Sequence, residues 1–261
     1  MGDERGSIGA SMKVHWFEQT LRDVSADEEW LTEWESSRLR SLRVPKRCAD
    51  WRLGRWTAKH AVADYLKLSH QPATLAQIEI WPSNCGAPEA TVGGIPGRVS
   101  ISLSHRDGVA ACAVGTGGVV GCDLELIEPR TDGFVADYFT AAEQSLIQSL
   151  TEPERFALIT LLWSAKESAL KAIRTGLRLD TRSVSVELDD SHARYLTASA
   201  ESWHAMSVRY MDKQVFQGWW CQDGKLVRTL VSIPATVAPV IRDSVADRYF
   251  SVGGYRLAEA S

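Results

Sequence analysis

The chain has no C-x-x-C pair, and its five cysteines (Cys48, Cys85, Cys112, Cys122 and Cys221) are odd in number and scattered. This argues against a disulfide framework or a cysteine zinc site and suits reduced thiols in a cytoplasmic protein. It lacks an apolar run of about 18 residues, the length that would span a membrane. The N-terminal MGDERGSIGASMK lacks the apolar stretch of a secretory signal, so a cytoplasmic location is expected. Excess charge is absent too: a net charge of −4 over 261 residues gives no general attraction to nucleic acid or to anionic membranes. His15, His60, His70, His192 and His204 show no metal-ligand spacing. What is present is ordinary globular composition, 44% hydrophobic and 24% charged, with material for a sizeable core.

Against this background two short strings carry chemistry. In Val119-Val-Gly-Cys-Asp123-Leu-Glu125 the period of two predicts a strand with Val120, Cys122 and Leu124 on one face and Asp123 and Glu125 on the other. Two carboxylates on one strand face are donors for a hard cation such as Mg²⁺, which takes one or two protein carboxylates and completes its shell with water and phosphate. A half-exposed strand with its acids in solvent is the plainer alternative.

The second string starts 40 residues after Asp123, at Trp163-Ser-Ala-Lys166-Glu167-Ser-Ala-Leu-Lys171. Leu158, Ile159, Leu162, Trp163, Leu170 and Ile173 follow helical spacing, and Leu161, Ala165, Ala169 and Ala172 extend the apolar surface almost all round. The polar remainder is a narrow sector of Thr160, Ser164, Glu167 and Lys171. Lys166 falls in the apolar stripe, where a charge must find a partner. Glu167 and Lys171 could be a simple i,i+4 ion pair; on a largely buried helix they could instead complete the site begun by Asp123 and Glu125.

Shifting the sequence by 107 residues lays Trp56-Thr-Ala-Lys59-His60-Ala61 on Trp163-Ser-Ala-Lys166-Glu167-Ser168, and Met12–Glu18 on Val119–Glu125. It also lays Ser100–Leu103 on Ser207–Tyr210. Three matches at one offset imply a duplication: two similar α+β halves packed on each other, with a site in the cleft between them. The halves are expected at 12–116 and 119–233, separated by Gly115-Thr-Gly-Gly118, with a C-terminal extension at 234–261. That extension is expected on the surface, with a short element near Val245–Val252. Trp16 and His60 stand where the second half has acids, so only the second half is expected to hold metal.

Between Arg38 and Lys59 lie eight Lys or Arg residues against one acid, Asp50. Arg52, Arg55 and Lys59 are spaced to share a helical face opposite Ala49, Leu53 and Trp56. This could be a solubilising face, but its single sign suits phosphate, which guanidinium binds bidentately. Downstream, Gly86-x-Pro88 marks a turn. Val99–Ser104 then reads as a strand with Ile101 and Leu103 inward, ending in His105 before Gly108. His105 alone could be a hydrogen-bonding strand-end histidine.

In order, Gly86-x-Pro88, Ser102-Leu-Ser104-His105, Gly121-x-Asp123-x-Glu125 and Trp163-Ser-x-Lys166-Glu167-x-x-x-Lys171 resemble the motifs of the 4′-phosphopantetheinyl transferases. The length and duplication resemble the larger, surfactin-synthetase-activator-type branch, in which two α+β subdomains form an intramolecular pseudo-dimer. The resemblance implies transfer of the phosphopantetheine arm of coenzyme A to a serine of an acyl or peptidyl carrier protein, as in fatty-acid, polyketide or peptide synthesis. It implies Mg²⁺, or Mn²⁺, held by Asp123, Glu125 and Glu167. Glu167 would be the general base, Lys171 and Lys166 would bind the diphosphate, and His105 and Ser104 would contact the phosphates. Arg52, Arg55 and Lys59 would hold the nucleotide, and Gly86 and Pro88 would line its adenine pocket. A monomer is expected, since one chain supplies both walls of the cleft.

A Mg²⁺-dependent nuclease or phosphodiesterase uses similar groups, but usually with its lysine two residues after the second acid on a strand. A non-catalytic module binding coenzyme A or a carrier would not need the intact set of acids and lysines. Trp203, Trp219 and Trp220 could form a partner-binding rim or belong to the core.

Overall fold

The structure, a computed structural model, describes residues 12–175, 179–188, 200–211 and 213–242. The first half runs β1 (Val14–Thr20), α1 (Glu33–Ser41), α2 (Pro45–Leu66), α3 (Pro72–Leu75), β2 (Ile78–Pro82), β3 (Pro88–Val92), β4 (Ile95–Pro96), β5 (Ser100–Arg106) and β6 (Val109–Gly115). The second runs β7 (Val119–Leu126), α4 (Asp132–Tyr138), α5 (Ala141–Gln148), α6 (Glu154–Ala172), β8 (Val184–Leu188), β9 (Ala200–Tyr210), β10 (Gln214–Asp223) and β11 (Leu226–Ile233). A last strand, β12 (Val240–Arg242), follows. The expected mixed α+β class is what the chain adopts. Among the described residues no helix is long and apolar enough to cross a membrane.

Strand order is β12-β1-β6-β5 in one sheet, β7-β11-β10-β9-β8 in the second and β2-β3-β4 in a small third. Helix α2 lies on β1 and β6, and α6 lies on β7 and β11. The alternation read from β7 holds: Val120, Cys122 and Leu124 pack with Val14, Trp16, Ala111, Ala113 and Leu230 in a core between the two large sheets. The opposite face of β7 turns to α6. There Gly121 is required, because a Cβ would collide with the Ser168 carbonyl.

Both long helices are braced in the same way. Lys59 of α2 is fully buried, pairs with Glu35 at 2.5 Å and donates to the carbonyls of Trp30 and Leu75. Lys166 of α6 is equally buried, pairs with Glu143 at 2.8 Å and donates to the carbonyls of Thr181 and Val184. Glu35 and Glu143 each complete a capping box, with Thr32 and with Thr140, and each accepts a backbone N–H from a strand, Ile80 or Val186. Burial lowers the pKa of both lysines, and their glutamates work against that shift.

The first strand and the long helix of each half correspond at the offset of 107, β1 with β7 and α2 with α6. The third sequence match does not follow: Ser100–Leu103 lies in β5, beside the last strand of its half, whereas Ser207–Tyr210 lies in β9, two strands from β11. The extension returns to the first half, where β12 pairs parallel with β1 and Thr236 bridges to Met12. Val245–Val252 lies outside the described residues.

Candidate active site

Edge strand β5 of the first sheet meets edge strand β7 of the second. Ser102 Oγ accepts the Cys122 N–H at 2.9 Å, and Cys122 Sγ donates to the Ser102 carbonyl. Two residues along, Ser104 Oγ donates to Asp123 Oδ1 at 2.8 Å. The period of two in Ser102-Leu-Ser104 thus sends both hydroxyls across the seam while Ile101 and Leu103 join the core under α2.

Helix α6 is seated on the other side of Asp123. Ser164 and Ser168 both bond Thr229 Oγ1 at 2.8 Å, and Thr229 is the β11 partner of Asp123. The sector read as polar therefore faces strands, with Thr160 and Ser164 buried beneath it. One turn on, Lys171 Nζ donates to Asp123 Oδ1 at 2.7 Å and to the Cys122 carbonyl at 3.1 Å. Arg106 Nε and Arg130 Nη2 lie 3.7 and 4.0 Å from Glu125 Oε2.

The electrostatics are those of crowded carboxylates. Burial raises the Glu167 carboxyl to about 7; Asp123 and Glu125 add to the rise and Lys171 opposes it. Burial, then Asp123, also raises Glu125, while Arg106 and Arg130 pull it back. For Lys171 burial favours the neutral amine, but Asp123, Cys122 and Glu167 outweigh it and its pKa is raised.

Among the described residues no three His, Cys, Asp or Glu side chains close round a point as a metal cage. Two carboxylate oxygens, Asp123 Oδ2 and Glu125 Oε2, are nevertheless buried without a hydrogen-bond partner there. Arg106 and Arg130 stand near Glu125 Oε2 without hydrogen-bonding it, and hard oxygens left in this way fit a cation that takes one or two carboxylates and leaves its remaining positions to water and phosphate.

Beside Lys171 is a cavity of about 190 Å³. Its walls come from the Cys85–Pro88 turn, from β5 and β7, and from the end of α6. Gly86 has φ of 90° in that turn, a conformation glycine adopts freely, and Pro88 opens β3. His105 is exposed and lines a neighbouring groove with Lys46, Asp50 and Arg106.

Asp123, Glu125, Glu167, Lys171 and Ser104 therefore come together, with Gly86 and Pro88 next to them. Four residues expected at phosphate have other contacts. Lys166 and Lys59 are the buried braces, out of reach of any ligand, because both helices are covered along the stretch that carries them. Arg52 donates to the carbonyls of Ser25, Ala26 and Asp27. Arg55 lies over the Trp51 ring with Glu35 at 4.0 Å, and neither arginine lines the cavity. The two T-x-x-E strings, Thr32–Glu35 and Thr140–Glu143, were the signal for the braces. Trp220 is core, and Trp203 and Trp219 pack against the core between the sheets.

The family model of the 4′-phosphopantetheinyl transferase superfamily matches residues 119–221, from the start of β7 into β10. The match takes in both site strings, Asp123–Glu125 and Trp163–Lys171. A 4′-phosphopantetheinyl transferase, HetI, of Nostoc sp. is 32% identical over 78 residues, 29% of this chain and 33% of its own length. A 4′-phosphopantetheinyl transferase of Bacillus subtilis is 34% identical over 92 residues, 35% of this chain and 41% of its own length. The aligned stretches thus span about a third to two fifths of these relatives. A holo-(acyl-carrier-protein) synthase from Bacillus anthracis, solved in complex with CoA (3′,5′-ADP), is 21% identical. It covers 41% of this chain and 96% of its own, with a TM-score of 0.35.

Proposed function

We propose that the protein is a 4′-phosphopantetheinyl transferase that converts apo acyl or peptidyl carrier proteins to their holo form with coenzyme A. The observation that carries the reading is the meeting of Asp123, Glu125, Glu167 and Lys171 within the superfamily segment. In the reaction a carrier serine oxygen bonds to the β-phosphorus of coenzyme A. The bond to the bridging oxygen breaks, and its electron pair leaves with adenosine 3′,5′-bisphosphate. Glu167, raised to about 7 by burial and its acidic neighbours, is suited to take the serine proton. Lys171 offsets charge on the departing phosphate, and Ser104 holds Asp123 in place. Mg²⁺ or Mn²⁺ bound by Asp123, Glu125 and Glu167 would supply the charge neutralisation that lets the diphosphate enter this acidic site.

The paired braces and the matching β1–α2 and β7–α6 units support the two-half, pseudo-dimer arrangement of the surfactin-synthetase-activator type. On that arrangement one chain supplies both walls of the cleft, and the enzyme works as a cytoplasmic monomer. His105, with Lys46 beside it, would meet phosphate from the first half.

Intact-mass spectrometry of an apo carrier protein incubated with this chain, coenzyme A and Mg²⁺ tests the reading. The expected result is a gain of one phosphopantetheine arm, lost with EDTA. Asp123→Asn should lower the rate by about 10³-fold, the scale set by losing a charged group at a reacting centre, with the fold intact by circular dichroism. No gain on several unrelated carriers would overturn the proposal.

A further inference from the structure

We propose that Arg174, just beyond α6, binds a phosphate at the nucleotide end of coenzyme A and exchanges Glu89 for it; this rests on the transfer reading above. The cavity beside the site is bounded by the Gly86–Pro88 turn of the first half and by Lys171 and Arg174 of the second. Lys171 already serves Asp123 and the Cys122 carbonyl. Arg174 reaches across to β3, where its Nη1 lies 2.5 Å from Glu89 Oε1. The two side chains are 45% and 50% exposed, so water and competing anions reach this ion pair and it is readily exchanged.

The backbone marks the same residue. Arg174 has φ of 59°, and its N–H closes the helix end on the Lys171 carbonyl at 3.0 Å. Glycine is the usual occupant of this left-handed position after a helix. Arginine there is unfavourable for the backbone, yet it places a guanidinium three residues beyond Lys171 at the cavity wall. A guanidinium takes phosphate through two parallel hydrogen bonds, which a half-exposed carboxylate partner does not prevent.

Calorimetric titration of the full chain with coenzyme A and with adenosine 3′,5′-bisphosphate tests this, using the parent, Arg174→Gly and Glu89→Gln. Arg174→Gly should bind both ligands about ten- to a hundredfold more weakly, the scale of a lost charge-assisted contact. Its melting temperature should hold or rise, because glycine suits the backbone; weaker binding in a chain of equal or greater stability cannot come from misfolding. Glu89→Gln should bind at least as tightly as the parent. Unchanged affinity in Arg174→Gly would overturn the proposal, as would an equal loss in Glu89→Gln, which would make the ion pair itself what the site needs. A parent that neither binds coenzyme A nor modifies a carrier would bring down the transfer reading together with this one. A parent that does both beside an unaffected Arg174→Gly would bring down this one alone.

Discussion

At the residue scale, Asp123 accepts from both Ser104 and Lys171 through one oxygen, while its other oxygen is buried without a partner among the described residues. The division was half legible beforehand. Strand alternation put Asp123 and Glu125 on one face, and helical spacing put Glu167 and Lys171 on one sector, since both are local periodicities. Lys166 was legible as a buried charge but not as a brace, because its partner Glu143 lies on another helix and no local pattern joins them. His60 is a different case. Burial, then His70, pushes its pKa down to about 3, with Asp23 opposing. The unfolded chain takes up the proton near the ordinary histidine value of about 6.5 and the folded chain does not, so stability falls as pH drops from about 6.5 towards 3. We expect a loss of about 2 kcal/mol between pH 7.5 and pH 5.0 from this residue. Urea midpoints should show a smaller difference in His60→Gln; an equal difference would assign the slope to other groups.

At the element scale, α6 is set by contacts away from the reacting groups. Ser164 and Ser168 tie it to β11, Lys166 ties it to α5 and to the start of β8, and Gly121 lets it lie close on β7. Glu167 and Lys171 inherit their positions from these contacts. If Lys166 is a brace, Lys166→Met strands the buried Glu143 and destabilises the protein by about 3–5 kcal/mol, since one charge of a buried pair is left alone. For a chain of this size that is a fall in melting temperature of roughly 10 °C. Lys166→Met/Glu143→Gln should recover part of it, because glutamine can still accept the Val186 N–H. A single variant as stable as the parent but unable to bind coenzyme A would return Lys166 to the phosphate. The basic helix α2 departs from its expected exposure for a related reason. Lys59 and Leu53 are both fully buried, and within α2 only Pro45, Lys46 and Arg47 in the first turn and Leu66 at the end are exposed.

At the scale of the molecule, the two large sheets share one core centred on Trp16, which is fully buried and meets Trp203 edge-to-face at 5.2 Å. Arg228 of β11 adds a bidentate pair to Glu18 of β1, at 2.7 and 2.8 Å. A shared core couples the halves, so thermal or urea unfolding should be a single transition. Trp16→Ala should cost about 3–5 kcal/mol, as truncation of a buried tryptophan usually does. Circular dichroism and tryptophan fluorescence should still report one coincident midpoint. Two separated midpoints would mean that each half is stable by itself. The first strand, the long helix and the later strands of each half could be read from the sequence, but the short helices α1, α3, α4 and α5 and the return of the extension as β12 could not. A three-residue strand carries too little pattern, and its partner β1 lies more than 200 positions earlier.

The twin braces bear on how such a chain changes over generations. Trp16, His60 and Asp64 occupy, in one half, the positions that Asp123, Glu167 and Lys171 occupy in the other, yet both helices lie on their sheets in the same way. What holds each helix is a glutamate and a lysine sealed from solvent, and those are kept in both halves. Reactivity can thus be erased or rewritten on the open face of such a frame without dismantling it. The sheet without these acids still abuts the one that carries them, through Ser102 and Ser104 on β5.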